Sequence, residues 1–160
     1  MTPDELCLIL KNLFQNDTQV VQQATATLKQ YFKQVEALEN LLLLMSQNPD
    51  QQVRQVSCVY LRKIITKLWS NLNADQQNTT KNLLLDRYKV EPVTLVKKSI
   101  ADVIGNLGKI LIPNKEWPKL FEFIFISTQS QELANKELAL LLLSVIIEYF
   151  SHDEIQAYYD

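Results

Sequence analysis

The sequence predicts an all-α protein built as a stack of antiparallel helix pairs, and three observations support this fold class. Glycine occurs only twice in 160 residues, whereas β-rich folds usually need more because hairpin turns require positive φ angles. Apolar residues recur at steps of three and four, the spacing of amphipathic helices. The apolar pattern of residues 53–69 is echoed about forty residues later by residues 96–104, a period typical of helical-repeat arrays.

Cap residues mark where the predicted helices begin, because an N-cap oxygen accepts hydrogen bonds from first-turn amides that lack a helical partner. Thr2-Pro3-Asp4-Glu5 combines a cap, a proline at the first helical position and an acid at the third. Comparable starts are Asp17, Asn48, Asn73 with Gln76, Asn114 and Ser130. With the apolar periodicity they predict eight helices, at about residues 3–15, 18–33, 35–46, 49–70, 74–89, 92–111, 115–128 and 131–150.

The joints between these helices are short, so sequential helices pack antiparallel and form pairs. We expect repeats at about residues 1–33, 34–70, 73–112 and 114–150. Ser151 and Glu154 have the spacing of a capping box, which predicts that residues 151–160 begin a further repeat. Because a repeat stack usually finishes with a polar cap, we expect this chain to be the N-terminal fragment of a longer protein.

The second helix of each of the first three pairs carries the predicted core. Each has a buried apolar stripe: Val20, Val21, Ala24, Leu28, Tyr31 and Phe32; Val53, Val56, Leu61, Ile64, Ile65 and Leu68; and Val96, Ile100, Val103, Ile104, Leu107 and Ile110. The last helix is apolar nearly all round, and such a helix is expected to be buried on several sides.

Composition argues against several classes of function. The chain has a net charge of -2 and lacks the concentration of basic residues that a duplex-binding domain carries, which argues against direct binding of DNA or RNA. Cys7 and Cys58 lie in apolar helical patterns, which indicates free buried thiols and a reducing compartment. The N-terminus lacks the basic segment of a secretory signal, and the apolar residues 140–147 are too few to cross a bilayer. We therefore expect a soluble, intracellular protein.

Catalytic and metal sites are not predicted either. His152 is the only histidine, so no histidine-based triad can be assembled, and the sequence has neither a glycine-rich phosphate loop nor a Gly-x-Ser-x-Gly motif. It also has no cysteine pair or acidic cluster at metal-ligand spacing. We predict no enzymatic activity, no cofactor and no metal.

A set of short motifs follows a fixed order along nearly all of the chain. Val53-Arg54 is followed by Leu61-Arg62-Lys63 and Trp69, then by Lys81-Asn82-Leu83-Leu84-Leu85, Val96-Lys97 and Trp117-Pro118-Lys119-Leu120. In this order the motifs resemble the N-terminal domain of the importin-β (karyopherin-β) nuclear transport receptors, which carry Trp-Pro-x-Leu at the start of the fourth repeat. The sequence departs from that family at Thr25, a position that the family often fills with Glu.

The resemblance implies a right-handed α-solenoid, a superhelix of about four HEAT repeats, in a receptor that carries cargo through the nuclear pore. In such receptors the second helices of the first repeats line the concave surface and bind the GTP-bound form of the small GTPase Ran, which releases import cargo. Phe-Gly nucleoporins are further expected partners. Cargo such as histones or ribosomal proteins is expected mostly on later repeats, and the receptor is expected to shuttle between cytoplasm and nucleus.

The resemblance also assigns the polar stripes of the second helices to Ran. The predicted contact residues are Gln22, Thr25 and Lys29 in the first repeat, Gln55, Arg62, Lys63 and Thr66 in the second, and Lys98, Asp102 and Asn106 in the third. A solvated helix face explains the same stripes without any partner. Lys98 and Asp102 also have the spacing of an i,i+4 ion pair.

Aromatic residues and the repeats as a whole leave alternatives open. Trp69 and Trp117 each lie at a helix end beside an apolar face, which favours packing over ligand recognition. Packing is also favoured for Phe121, Phe123 and Phe125, with a shallow groove for Phe-Gly nucleoporins as the alternative. The helical repeats by themselves fit a structural HEAT scaffold that organises a multiprotein complex and never binds Ran.

Overall fold

The computed structural model describes residues 1–149, and these residues contain eight α-helices and no strand. The helices are α1 (Pro3–Asn12), α2 (Thr18–Tyr31), α3 (Val35–Gln47), α4 (Gln51–Leu68), α5 (Ala74–Val90), α6 (Thr94–Leu111), α7 (Pro118–Gln129) and α8 (Leu133–Tyr149). Each predicted helix is found, which confirms the all-α class. The predicted start of a further repeat lies outside the described residues.

Side-chain caps begin several of the helices as predicted. The amide of Glu5 donates to Thr2 Oγ1 (3.2 Å), and the amide of Thr2 donates to Glu5 Oε2 (2.7 Å), so α1 has a capping box. The hydrogen bond from the Thr2 amide lowers the pKa of the Glu5 carboxyl. Asp17 accepts from two first-turn amides of α2, and Asn73 and Gln76 exchange side-chain hydrogen bonds at the start of α5 (2.8 and 2.9 Å).

Three of the predicted helix starts were wrong, at Asn48, Asn114 and Ser130. Ser130 Oγ accepts from the amide of Glu132 (3.2 Å), and α8 begins at Leu133. Asn48 Oδ1 accepts from the amide of Asp50 (2.9 Å), and it is Asp50 that caps α4. Helix α7 begins at Pro118 and not after Asn114. The cause is local backbone geometry: Lys115 has a φ of 56°, which turns the chain out of a helical path, and proline fits the first helical position because it has no amide to leave unpaired.

The chain divides into two compact units, Met1–Thr80 and Lys81–Asp160, with the boundary inside α5. In the first unit α3 packs along α4, and α1 contacts α2, α3 and α4. The predicted stripe of α4 is buried except for Val56, whereas Val20 and Val21 at the start of α2 are only half-buried. The largest fully buried side chains of this unit include Leu6, Leu10, Leu28, Leu38, Leu41, Met45, Leu61 and Ile65.

In the second unit α8 packs against both α6 and α7. The predicted stripe of α6 is buried from Val96 to Leu107, and Ile110 is half-buried. Tyr88 donates from its hydroxyl to the backbone carbonyl of Leu138 in α8, and burial raises the pKa of this phenol well above its ordinary value. The hydrogen bond therefore joins α5 to α8 inside the unit.

The expectation that α8 is buried on several sides was wrong for the described residues. Leu138, Ala139, Leu142, Val145 and Ile146 are buried, but Leu133, Leu140 and Ile147 are 60–70% exposed. The exposed three recur every seven residues and therefore share one face. Helices α6 and α7 pack against α8 but leave Leu133, Leu140 and Ile147 exposed, so an apolar sequence all round the helix did not predict cover all round it.

Trp69 and Trp117 are both buried, which agrees with a packing role. The Trp117 side chain is 1% exposed, and its indole Nε1 has no hydrogen-bond partner among the described residues. A buried donor without an acceptor costs about 1–3 kcal/mol. The ring therefore stabilises the fold through burial of its apolar surface, while the unpaired N–H group offsets part of that favourable free energy.

Replacing Trp117 by phenylalanine is expected to change the free energy of unfolding by less than about 1 kcal/mol, because removal of the unpaired N–H offsets the smaller ring. Replacing it by alanine is expected to cost about 3–5 kcal/mol, because most of the buried surface is lost. Urea denaturation followed by circular dichroism measures both variants. A loss for Trp117→Phe as large as that for Trp117→Ala would mean that the indole N–H contributes to stability.

Candidate functional site

A groove between α2 and α4 in the first unit is the strongest candidate for a binding site. It encloses about 610 Å³, which is within the size range of protein binding sites. We name it the α2/α4 groove, and its lining residues are Thr25, Leu28, Lys29, Phe32, Lys33, Tyr60, Lys63, Ile64, Lys67 and Leu68. Each helix contributes residues three and four apart, because these lie on one helix face.

The floor of the α2/α4 groove is apolar. Leu28, Ile64 and Leu68 are buried. Phe32 and Tyr60 are half-buried, and their ring centroids lie 4.7 Å apart with the rings inclined by 42°, a geometry that aromatic pairs favour. Burial raises the pKa of the Tyr60 phenol, so this ring is neutral at physiological pH. The floor therefore offers apolar and aromatic surface without charge.

The rim of the α2/α4 groove is positively charged. It carries Lys29, Lys33, Lys63 and Lys67, which are all exposed. None of the four is paired with a carboxylate of residues 1–149, and no acidic residue lines the groove. Several like charges around one concave surface raise the local concentration of oppositely charged groups. The groove is therefore suited to an acidic partner.

Two of the rim lysines have identified side-chain contacts. Lys63 Nζ lies 5.3 Å from the centroid of the Tyr60 ring, which is a cation–π distance. Lys33 Nζ donates to Gln30 Oε1 (3.0 Å). Lys63 and Lys67 are four residues apart on α4, an arrangement of like charges that destabilises a helix slightly. Both lysines are exposed, so water solvates their charges, and the pair is also suited to contact with an acidic group.

Three of the predicted contact residues line the α2/α4 groove, namely Thr25, Lys29 and Lys63. The others from the first two repeats do not line it: Gln22 and Arg62 are exposed, and Gln55 and Thr66 are half-buried. Arg62 follows Leu61 on α4 and does not line the groove, whereas its neighbour Lys63 does, because successive residues of a helix point about 100° apart. Sequence reasoning treated these two neighbours as one pair, and the structure separates them.

Sequence reasoning also missed four lining residues. Phe32 was assigned to the buried stripe, and Lys33, Tyr60 and Lys67 were not singled out. The pattern that identifies the α4 members is the alternation of Tyr60, Lys63, Ile64 and Lys67 at successive steps of three, one and three, which places lysines beside apolar residues on one face. The approach of Phe32 to Tyr60 depends on how α2 packs beside α4, and no local pattern encodes it.

The predicted third-repeat residues lie along α6 in the second unit. Lys98 is exposed, and Asp102 and Asn106 are half-buried. Residues four apart share a helix face, as predicted. Lys98 and Asp102 do not form the ion pair that their spacing allows, and Asp102 and Asn106 make other interactions. Lys98 therefore remains available to a partner.

A second groove lies beside the turn between α7 and α8 and encloses about 570 Å³. It is lined by Lys89, Phe123, Phe125, Ile126, Ser127, Gln129, Ser130, Asn135 and Leu138. The packing interpretation agrees with the burial of Phe121 and was wrong for Phe125, which is 60% exposed. Leu120, Ile124 and Ser127 form the buried face of α7, so Phe125 lies on the flank of that face.

Neither a metal site nor a membrane-spanning helix is found among residues 1–149. Residues 1–149 contain no group of three or more histidine, cysteine or acidic side chains placed to hold a metal ion. None of the helices described combines the length and the apolar content needed to cross a bilayer. Cys7 and Cys58 are both free thiols, and Cys7 Sγ accepts from Asn48 Nδ2 (3.4 Å).

Two family profiles match most of the chain between them. A profile described as "Importin-beta N-terminal domain" matches residues 24–88, which include α4, most of α2 and the whole α2/α4 groove. A profile described as "IPO5-like, TPR repeats" matches residues 92–159. The resemblance seen in the ordered motifs is thereby confirmed.

Curated relatives cover a similar extent of the chain. "Probable importin subunit beta-4" of Schizosaccharomyces pombe is 30% identical over 141 residues, which are 88% of this chain and 13% of the relative. "Importin-4" of Mus musculus is 32% identical over 151 residues, which are 92% of this chain and 14% of the relative. The chain thus spans about one seventh of the length of these relatives. The stretches Gln52-Val53-Arg54-Gln55 and Leu140-Leu141-Leu142-Leu143-Ser144-Val145 also resemble importin-4, in agreement with these matches.

A solved structure shows the same fold. It comes from work in which Kap95p binding induces the switch loops of RanGDP to adopt the GTP-bound conformation. The likeness to the karyopherin chain has a TM-score of 0.82 at 16% identity, and it covers 99% of this chain and 21% of that chain. The predicted fold class, an α-solenoid of HEAT repeats, is confirmed by this likeness, while the predicted repeat boundaries stay a prediction.

Proposed function

The chain belongs to the importin-β family, and on that premise we propose that it is the N-terminal part of a nuclear import receptor and binds Ran in its GTP-bound form. The observation that carries this proposal is the placement of Thr25, Lys29 and Lys63 on one groove with an apolar floor. The family resemblance independently implies that all three residues contact Ran. Kap95p, which has the same fold, binds Ran.

The charge of the α2/α4 groove supports this role. Rim lysines that face acidic groups on a partner accelerate encounter, and they make association sensitive to salt. The apolar floor is then available for contacts that slow dissociation, because burial of apolar surface is the main favourable contribution to association. Gln22, Gln55, Arg62 and Thr66 on α2 and α4, and Lys98, Asp102 and Asn106 on α6, are proposed as further Ran contacts outside the groove.

The remaining partners are proposed for the receptor as a whole. The second groove presents the exposed Phe125 and the half-buried Phe123, which supports binding of Phe-Gly nucleoporins there. Import cargo, such as histones or ribosomal proteins, is proposed to bind mostly outside residues 1–160. The receptor is proposed to shuttle between cytoplasm and nucleus through the pore. Members of the importin family are transport receptors and not enzymes, so no catalytic step is proposed.

Titration of the chain with purified Ran tests the proposal directly. We expect binding to Ran loaded with a non-hydrolysable GTP analogue at micromolar concentrations or below, measured by isothermal titration calorimetry. Binding of RanGDP is expected to be weaker but not absent, because Kap95p binding induces the GTP-bound switch conformation in RanGDP. The rearrangement of the switch loops in RanGDP costs free energy, and this cost lowers the affinity of the chain for RanGDP.

Two results would count against Ran. Absence of binding to the GTP form at tens of micromolar, or equal affinity for both nucleotide forms, would favour the structural HEAT scaffold. Capture from cell extract separates the two functions further, because Ran and Phe-Gly nucleoporins are expected to dominate the bound fraction only for a transport receptor. The repeat fold is the same in both cases, so only partner identity distinguishes them.

A further inference from the structure

We infer that the α2/α4 groove is a peptide-docking site that accepts an acidic segment with one aromatic or large aliphatic side chain as its anchor. This inference deepens the proposed function and rests on it in taking the groove as the surface that faces the partner. It adds a chemical description of the segment that the groove accepts. It also adds four residues that no family motif assigned: Phe32, Lys33, Tyr60 and Lys67.

The anchor follows from the floor of the groove. Leu28, Ile64 and Leu68 are already buried, so they form a fixed apolar base. The Phe32 and Tyr60 rings are half-buried, which leaves aromatic surface for a further ring to contact. A side chain that enters this space removes apolar surface from water on both partners. An aromatic or large aliphatic residue fits, and a segment without one leaves the floor hydrated.

The acidic flanks follow from the rim. Lys29 and Lys33 come from the α2 side, and Lys63 and Lys67 come from α4, so both walls of the groove carry ammonium groups. These lysines are exposed and therefore bind a carboxylate without the large desolvation cost of a buried charge. A basic segment would meet four like charges and no carboxylate. Charge complementarity thus selects an acidic occupant.

A protein segment fits these features better than a nucleic acid, which is also acidic and can stack on aromatic rings. The lining contains no arginine, the residue that binds phosphate in a bidentate manner. The chain as a whole carries a net charge of -2, which opposes binding of an extended polyanion. A short acidic segment with a single anchor uses both the rim and the floor.

Fluorescence anisotropy with a labelled synthetic peptide tests the inference on the full chain. The probe is a short peptide in which one phenylalanine is flanked on both sides by glutamates. We expect saturable binding that weakens with salt and weakens about tenfold or more when the phenylalanine is replaced by alanine, because the anchor is lost. Replacing Lys33 or Lys67 by glutamine is expected to weaken binding about two- to fivefold each.

Lys11→Gln is the matched control, because Lys11 is an exposed lysine of the same unit that does not line the groove. The inference would be overturned if Lys11→Gln weakened peptide binding as much as the Lys33 and Lys67 variants do, or if removing the phenylalanine had no effect. Either result would mean that the peptide binds through general charge attraction. An oligonucleotide of equal charge that binds as tightly as the peptide would also overturn it. Circular dichroism of each variant excludes loss of folding as the cause.

The outcomes separate this inference from the proposed function. Binding of Ran-GTP without binding of the peptide would leave the import-receptor proposal intact and show that the groove does not accept such a segment. Binding of the peptide without binding of Ran would support the docking chemistry and contradict Ran as the partner. Binding of both, with Lys33 and Lys67 contributing to each, is the result expected here.

Discussion

Replacing Arg87 by alanine is expected to lower the free energy of unfolding by about 3 kcal/mol, the lower end of the cost for a buried ion pair, because the Glu91 side chain is fully buried while that of Arg87 is 20% exposed. Arg87 donates from Nε and from a terminal nitrogen to Glu91 Oε2 (3.1 and 2.5 Å). The Glu91 side chain is fully buried, and its Oε1 accepts from the amide of Val93 (3.2 Å). Loss of the guanidinium therefore leaves a buried carboxylate without this counter-charge in the turn from α5 to α6.

Two further variants separate charge from packing at this pair. Arg87→Lys keeps a positive charge but not the two-donor geometry, so a smaller loss is expected. The double variant Arg87→Met with Glu91→Met removes both charges and is expected to cost less than the sum of the single changes, because an apolar pair has no buried charge to solvate. Urea denaturation measures all of them. Additive losses would show that the two side chains act independently.

The fold was predictable because its determinants are local. Helix caps such as Thr2 with Glu5 and Asn73 with Gln76 satisfy first-turn amides through residues adjacent in sequence, and the apolar period marks each buried face. The failures have a different origin. Lys115 adopts a left-handed backbone conformation that few residues other than glycine prefer, so the turn that delays α7 was not predicted, although Pro118 is itself a signal for a helix start. The exposed face of α8 depends on which helices surround it.

The candidate site was predictable only in part, for a related reason. Thr25, Lys29 and Lys63 were assigned through the family resemblance, which needs only sequence order. The α2/α4 groove also needs Phe32 to meet Tyr60 across two helices, and that contact depends on tertiary packing. The burial of Glu91 in its pair with Arg87 was not predicted, for the same reason. From sequence alone, opposite charges four residues apart on a helix predict a solvent-exposed ion pair. Whether the pair is buried depends on the surrounding helices.

Reversing the charge of Lys29 and Lys63 together, as Lys29→Glu with Lys63→Glu, is expected to weaken binding of Ran-GTP about a hundredfold. The two residues lie on opposite walls of the groove, one on α2 and one on α4. Like charges placed across an interface cost several kcal/mol, and each 1.4 kcal/mol is a tenfold change in affinity. Both lysines are exposed, so the fold is expected to tolerate the change. Calorimetry with the GTP-analogue complex gives the affinity.

The matched control for this variant is Lys11→Glu with Lys119→Glu, which makes the same change in net charge at exposed lysines outside the groove. If the lysines act only through the net charge of the chain, both double variants are expected to lose the same affinity for Ran. Raising the salt concentration is then expected to remove the difference in affinity between the variants and the native chain. If Lys29 and Lys63 contact Ran directly, only the groove variant is expected to lose much affinity. Part of that loss is expected to persist at high salt, because salt screens contacting groups less. Equal losses in the two variants would therefore remove Lys29 and Lys63 from the Ran contact and leave Gln22, Gln55, Arg62 and Thr66 to be tested in their place.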